Sequence, residues 1–217
     1  MKAKRLFGLV VFGIALGYLE ADAVVYLRYL YYPDVVSLFP LRIMDAEVFC
    51  FEIYRELAAI IILLTISFLS SKKRWEVPFL FLFIFGIWDI FYYIFLYFMI
   101  HWPPSLFSFD ILFLFPVLWM GPVLCPVLSS LVLIGGSLFI LKNGYKWMSW
   151  INVIFTSVGI ILILWSFLAI PVGLLWINDF DIFYTFVPKN FPWYLYIPGL
   201  LLLAFGFFFK PKSRSTM

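Results

Sequence analysis

The chain has 217 residues, of which 65% are hydrophobic and only 12% are charged, and its formal net charge at pH 7 is +3. A soluble domain carries about 25% charged residues, so this composition excludes a soluble globular protein. Apolar runs recur along the chain at about 20 residues, the length at which a helix crosses ~30 Å of hydrocarbon. The sequence therefore predicts an all-α, polytopic membrane helix bundle that forms a single transmembrane domain, residues 1–217.

Six spans are predicted, with edges uncertain by a few residues: 6–26, 47–70, 77–100, 122–141, 149–170 and 191–209. The first span follows a basic N-terminus and resembles a signal peptide that ends at a small-residue cleavage site. Because the chain stays hydrophobic as far as Tyr31, we expect an uncleaved span instead. Gly13 and Gly17 give it a small-residue face on which a second helix can pack closely.

The stretch before the fourth span is irregular, because it contains Pro116, Pro122 and Pro126. Each proline inside a helix removes a hydrogen-bond donor and clashes with the preceding turn, so an uninterrupted helix is not expected. We predict a separate short helix, Asp110–Met120, that lies at the outer interface and leads into span four. The alternative is a re-entrant segment, which is tolerated only where protein or a water-filled cavity covers it.

The loop charges orient the spans. Eleven of the 15 basic residues lie before span one, between spans two and three, between spans four and five, or after span six. The opposite loops contain only Arg42 and Lys189, while Arg28 and Arg55 lie in or near spans. Basic loops stay cytoplasmic, so both termini are predicted to face the cytoplasm (N-in/C-in) of a plasma (inner) membrane protein. Basic residues confined to alternate loops are typical of a protein embedded in a lipid bilayer, and they give no reason to expect binding to nucleic acid.

Acidic residues show the opposite distribution, and several fall inside spans. Glu52 and Glu56 lie one turn apart on one face of span two, ~8 and ~14 Å below its outer end, and Arg55 is placed to pair with Glu52 at i+3. Asp89 of span three lies ~17 Å deep. Glu20 of span one is on the same stripe as Gly17, so three consecutive helices bring carboxylates to similar depths.

Unpaired charges at these depths are costly. Four acids and an arginine would together cost roughly 10 kcal/mol or more unless they are paired or hydrated. Two arginines can neutralise two of the four carboxylates, which leaves two carboxylates that need a proton, water or a bound cation. We interpret the cluster as a polar ligand-binding site in the outer half of the bilayer, and the alternative is a set of interhelical locks. Its candidate residues are Glu20, Arg28, Glu52, Arg55, Glu56, Asp89 and Tyr93.

The types of residue limit the ligand. The sole histidine, His101, excludes bis-histidine haem ligation within one chain, and the Glu-xx-His pattern of di-iron helical bundles is absent. Carboxylates without imidazole or thiolate favour protons, hard cations or organic cations, and aromatic walls favour ammonium groups. No metal site is predicted, and the sequence identifies neither a cofactor nor a catalytic residue.

Three functions are compatible with these features. The first is a transport-type protein that handles a proton, a hard cation or a small cationic ligand. The second is a structural or anchoring subunit of a larger membrane complex, with partner membrane subunits or a homo-oligomer. The third is a lipid-modifying membrane enzyme, whose acids, Tyr hydroxyls and arginines would supply acid–base groups and phosphate contacts. Nothing in the sequence decides between them, and we rank the transport-type protein first.

Overall fold

The computed structural model of the protein describes residues 3–144, 148–176 and 185–209. Within these ranges the chain is mostly helical, and five of its helices are long and apolar enough to cross a membrane. The prediction of a multi-pass helical membrane protein is therefore confirmed, while the exact number of spans and the orientation stay predictions. The described elements are α1 (Ala3–Tyr31), α2 (Ala46–Ser70), α3 (Glu76–Ile100), β1 (Phe109–Phe113), β2 (Trp119–Pro122), α4 (Leu124–Asn143), α5 (Trp150–Trp176) and α6 (Trp193–Phe208).

The helices follow the predicted spans, with differences at their ends. The fifth helix continues past Pro171 to Trp176, beyond the predicted end at residue 170. The sixth helix has 16 residues, which is a length of about 24 Å. Pro126 lies in the first turn of α4, where a backbone N–H has no partner within the helix, so the proline does not interrupt it.

The predicted short helix Asp110–Met120 is wrong, because this part of the chain forms a β-hairpin. The strands β1 and β2 pair antiparallel, with Asp110 opposite Gly121 and Ile111 opposite Met120. The prolines of this segment prevent a continuous helix. In a hairpin, its backbone N–H and C=O groups form hydrogen bonds between the two strands instead. The fold is thus helical with one two-stranded sheet among the described residues.

The hairpin packs against the middle of α3. The ring of Phe113 stacks on Phe85, with centroids 6.4 Å apart, and meets Trp88 edge-on at 6.2 Å. Phe85 is 15 residues before the end of α3, which is about 22 Å along the helix axis. The hairpin therefore extends along α3 into the bundle, while Phe115 at its tip stays 52% exposed.

The third helix is the centre of the packing. Helices α1, α2 and α4 all pack extensively on α3, and α5 packs extensively on α6. Helix α2 has no other extensive helix contact among the described residues. The small-residue face of α1 lies against α3, since a Cβ atom on Gly17 would be 2.9 Å from the carbonyl oxygen of Trp88. This close approach agrees with the expected helix-packing role of Gly13 and Gly17. A cavity lies between α2 and α5.

Candidate functional site

Arg55 of α2 forms an ion-pair cluster with two glutamates. Its Nη1 atom lies 2.5 Å from Oε2 of Glu20 on α1, and its Nε donates to Oε2 of Glu52 at 2.8 Å. The side chain of Arg55 is 27% exposed, and those of the two glutamates are 14% and 13% exposed. One arginine is therefore shared between two acids. Its pair with Glu20 links α1 to α2, and its pair with Glu52 is the i+3 pair expected from the spacing.

Arg28 lies in a different cluster, in the last turn of α1. Its guanidinium pairs with Oδ1 of Asp110 at 3.5 Å and lies 4.0 Å above the centroid of the Trp102 ring. The Tyr93 hydroxyl donates to the other oxygen of Asp110 at 3.1 Å. Arg28 and Asp110 are both 2% exposed, so their charges compensate each other inside the protein. Arg28 therefore anchors the base of the hairpin and is not available to Glu56 or Asp89.

The side chain of Glu56, on α2, binds a backbone N–H of the hairpin. Both of its carboxylate oxygens accept the N–H of Leu114, at 2.9 and 3.1 Å. Leu114 follows directly after β1, near the tip of the hairpin. Glu56 is buried and makes no ion pair with a basic side chain in the described part of the chain. Its carboxylate thus accepts one peptide N–H, while Arg55 lies on the wall of the same small cavity without forming an ion pair to it.

Asp89 of α3 is the second acid without a cationic partner. Its Oδ2 atom accepts the Ser130 hydroxyl of α4 at 2.8 Å. Across the residues that the structure describes, no ion pair to Asp89 is found. The close packing of α3 on α4 explains the contact, because a Cβ atom on Gly86 would lie only 2.8 Å from the Ser130 carbonyl oxygen.

Five of the seven candidate residues line one small cavity of about 50 Å³, which is room for a few water molecules. Glu52 joins this group through Arg55, whereas Arg28 is engaged elsewhere. The indole N–H of Trp88, on the same wall, is buried with no hydrogen-bond acceptor among the described residues. The five candidate residues on the cavity wall are Glu20, Arg55, Glu56, Asp89 and Tyr93.

A second, larger cavity of about 350 Å³ adjoins the first, and Glu56 and Asp89 line both. Its volume is within the usual range for ligand pockets, about 300–1,000 Å³. Hairpin side chains close one end, and the remaining walls are almost entirely apolar side chains of α2, α3, α4, α5 and α6. The aromatic residues that line it are Phe81, Phe85, Phe113, Phe115, Trp119 and Phe167.

Sequence reasoning missed two parts of this site. Asp110 lies in the segment for which the sequence predicts a short helix, and that prediction does not bring it to Arg28. Ser130 carries no signal by itself, since a serine in an apolar helix usually bonds to the backbone of its own helix. The described residues contain no group of three or more His, Cys, Asp or Glu that could hold a metal ion.

Comparison of the chain with protein families, with curated proteins and with solved structures found no match. The site therefore has to be interpreted from its own chemistry.

Proposed function

We propose that this multi-pass membrane protein binds a small organic cation between Glu56 and Asp89, as a transport-type protein. The observation that carries the proposal is the position of these two acids on the wall shared by the two cavities, without a basic partner in the described residues. An ammonium group at this position supplies the missing positive charge.

The energetics favour a cation over a neutral ligand. A charged side chain at the centre of a bilayer costs about 2.5–3.5 kcal/mol on insertion scales, so pairing with a ligand of opposite charge relieves part of that cost. Aromatic rings nearby add cation–π attraction, worth about 0.5–2 kcal/mol where the cation is desolvated. Phe85, Phe113 and Trp119 line the large cavity together with the two acids and supply such rings.

The neighbouring ion pairs have a supporting role in this proposal. Arg55 is shared by Glu20 and Glu52, and Arg28 pairs with Asp110, so Glu56 and Asp89 are the two acids of the cluster that contact no basic side chain among the described residues. We therefore assign the ligand contact to these two acids and a positioning role to Glu20, Arg28, Glu52, Arg55 and Tyr93. From the sequence, we also propose that the protein lies in the plasma (inner) membrane with both termini in the cytoplasm. Association with partner subunits or as a homo-oligomer is a further proposal from the sequence.

The test compares two ligands that differ in charge. Purified protein in lipid nanodiscs is titrated with hexylammonium and with hexanol by calorimetry, and empty nanodiscs are subtracted. We expect saturable binding of hexylammonium that is at least ~10-fold tighter than that of hexanol, since one lost charge-assisted contact is worth about 1.5–3 kcal/mol. The double variant Glu56→Gln with Asp89→Asn should lose this preference.

The matched control is Glu47→Gln, which neutralises an exposed acid in the first turn of the same helix. It should bind hexylammonium as the wild type does. Equal affinity for the ammonium and the alcohol, or an unchanged preference in the double variant, would overturn the proposal. If binding is confirmed, uptake of the cation into proteoliposomes then distinguishes transport from binding alone.

A further inference from the structure

The large cavity has a polar end and an apolar end. Glu56, Asp89 and Ser130 lie together at the end closed by the hairpin. From there the cavity follows α3 through Phe85 to Phe81. The eight residues from Asp89 to Phe81 correspond to about 12 Å along the helix axis. The cavity is therefore elongated, with both of its carboxylates at one end.

The cavity separates α2 from α5, two helices that make no extensive contact with each other among the described residues. On one side the wall is α2, with Leu57 and Ile60, and on the other it is α5, with Ile160 and Leu164. The extensive packing of α2 is on α3, and that of α5 is on α6 and β2. Leu57 is 38% exposed on the α2 wall of the cavity, and hairpin side chains line the polar end.

We propose that the ligand is a single-chain amphiphilic amine drawn from the bilayer, with its ammonium group at Glu56 and Asp89 and its alkyl chain along α3 towards Phe81. This inference rests on the proposed function and specifies its ligand class. Charge complementarity fixes the head of the ligand, and the apolar far end of the cavity fixes its tail. A chain that moves from lipid into this cavity exchanges one apolar environment for another, so the head group determines the selectivity.

Photolabelling tests the orientation directly. Two dodecylammonium probes are prepared, one with a diazirine at the end of the chain and one with a diazirine beside the nitrogen, and the protein in nanodiscs is irradiated and mapped by peptide mass spectrometry. We expect the chain-end probe to label the far end, at Phe81, Leu82 or Ile160. The nitrogen-side probe should label the hairpin end, at Phe113, Trp119 or Ser130.

Two variants sharpen the result. Leu82→Trp fills the far end without touching either acid and should lower far-end labelling severalfold, while labelling by the nitrogen-side probe is retained. Ile61→Trp is the control, because Ile61 is 61% exposed on the same helix as Glu56 and is not part of the cavity wall. It should leave both labelling patterns unchanged. Size-exclusion profiles and thermal unfolding confirm that the variants are folded.

The outcomes separate this inference from the proposed function. Labelling of the hairpin end by both probes means that a cation binds without a seated chain, which overturns the inference and leaves the proposed function. Labelling that is confined to outward-facing residues such as Phe68 also overturns it. Labelling that does not depend on the ammonium charge, or on Glu56 and Asp89, contradicts the proposed function itself. A phospholipid that copurifies and is not displaced by the amine contradicts the assigned ligand class.

Discussion

Glu56 of α2 holds the backbone N–H of Leu114 between its two carboxylate oxygens, at 2.9 and 3.1 Å. The same side chain lines both cavities. One acid thus binds the tip of the hairpin and, in the proposed function, supplies charge to the ligand. These two roles can be separated experimentally, because a glutamine retains the acceptor and loses the charge.

We predict that Glu56→Gln keeps the hairpin tip in place and that Glu56→Leu releases it. Glutamine still accepts the Leu114 N–H, whereas leucine leaves that donor buried without a partner, at a cost of about 1–3 kcal/mol. Amide hydrogen exchange at Leu114 should therefore be roughly 5- to 150-fold faster in Glu56→Leu than in Glu56→Gln. Equal exchange rates in the two variants would show that the bond does not hold the hairpin.

Arg55→Gln should destabilise the bundle, because it leaves Glu20 and Glu52 together without their shared cation. The expected loss in unfolding free energy is about 2 kcal/mol, between the values for exposed and fully buried ion pairs. Unfolding in a detergent titration measures it. Replacing both glutamates by glutamine in the same protein should restore most of the loss, since the uncompensated charges are then removed.

The control for this experiment is Arg42→Gln, which removes an exposed arginine from the loop between α1 and α2. Its unfolding free energy should equal that of the wild type. A triple variant that is as unstable as Arg55→Gln would mean that Arg55 contributes through packing and not through charge.

Much of the helical architecture can be predicted from the sequence because it depends on local properties. Long apolar runs require helices, since the bilayer offers no partners to an open backbone. The Arg55–Glu52 pair follows in the same way from its i+3 spacing. The exact ends of the helices are less predictable, as the continuation of α5 past Pro171 illustrates.

The hairpin and its contacts could not be predicted, because they depend on residues that are distant in sequence. The segments FDILF and WMGP are short and lack a clear alternation of polar and apolar residues, so no strand periodicity is visible. Arg28 and Asp110 are 82 residues apart, and only the folded hairpin brings them together. Counting charges indicated two unpaired acids, but it could not assign the Arg28 partner.

Two glycines of α5 provide a matched pair of packing variants. A Cβ atom on Gly159 would lie 2.6 Å from the backbone nitrogen of Leu203 on α6, whereas a Cβ atom on Gly173 meets nothing within 4 Å. We expect Gly159→Ala to lower the unfolding free energy by about 1–3 kcal/mol through overpacking. Gly173→Ala should raise it by about 0.5–1 kcal/mol or leave it unchanged. Equal effects would contradict the close contact of α5 and α6.

The predicted orientation can be tested with single cysteines in a Cys50→Ser background, since Cys50 is exposed and Cys125 is buried. A membrane-impermeant maleimide added to intact cells should label Ser37→Cys, in the loop after α1. Lys73→Cys, in the loop between α2 and α3, should be labelled only after the cells are permeabilised. The reverse pattern would invert the topology inferred from the basic loops.

The unequal packing of the helices has a mechanical consequence. The pair α5–α6 is joined backbone to backbone at Gly159 and Gly206, where even a methyl group would collide, so these two helices resist separation. By contrast, the extensive packing of α2 is on α3 alone, and its further contacts are the Arg55–Glu20 ion pair to α1 and the Glu56 carboxylate on the hairpin. We therefore expect α2 to move outward more easily than α5 and α6 when a ligand enters the cavity.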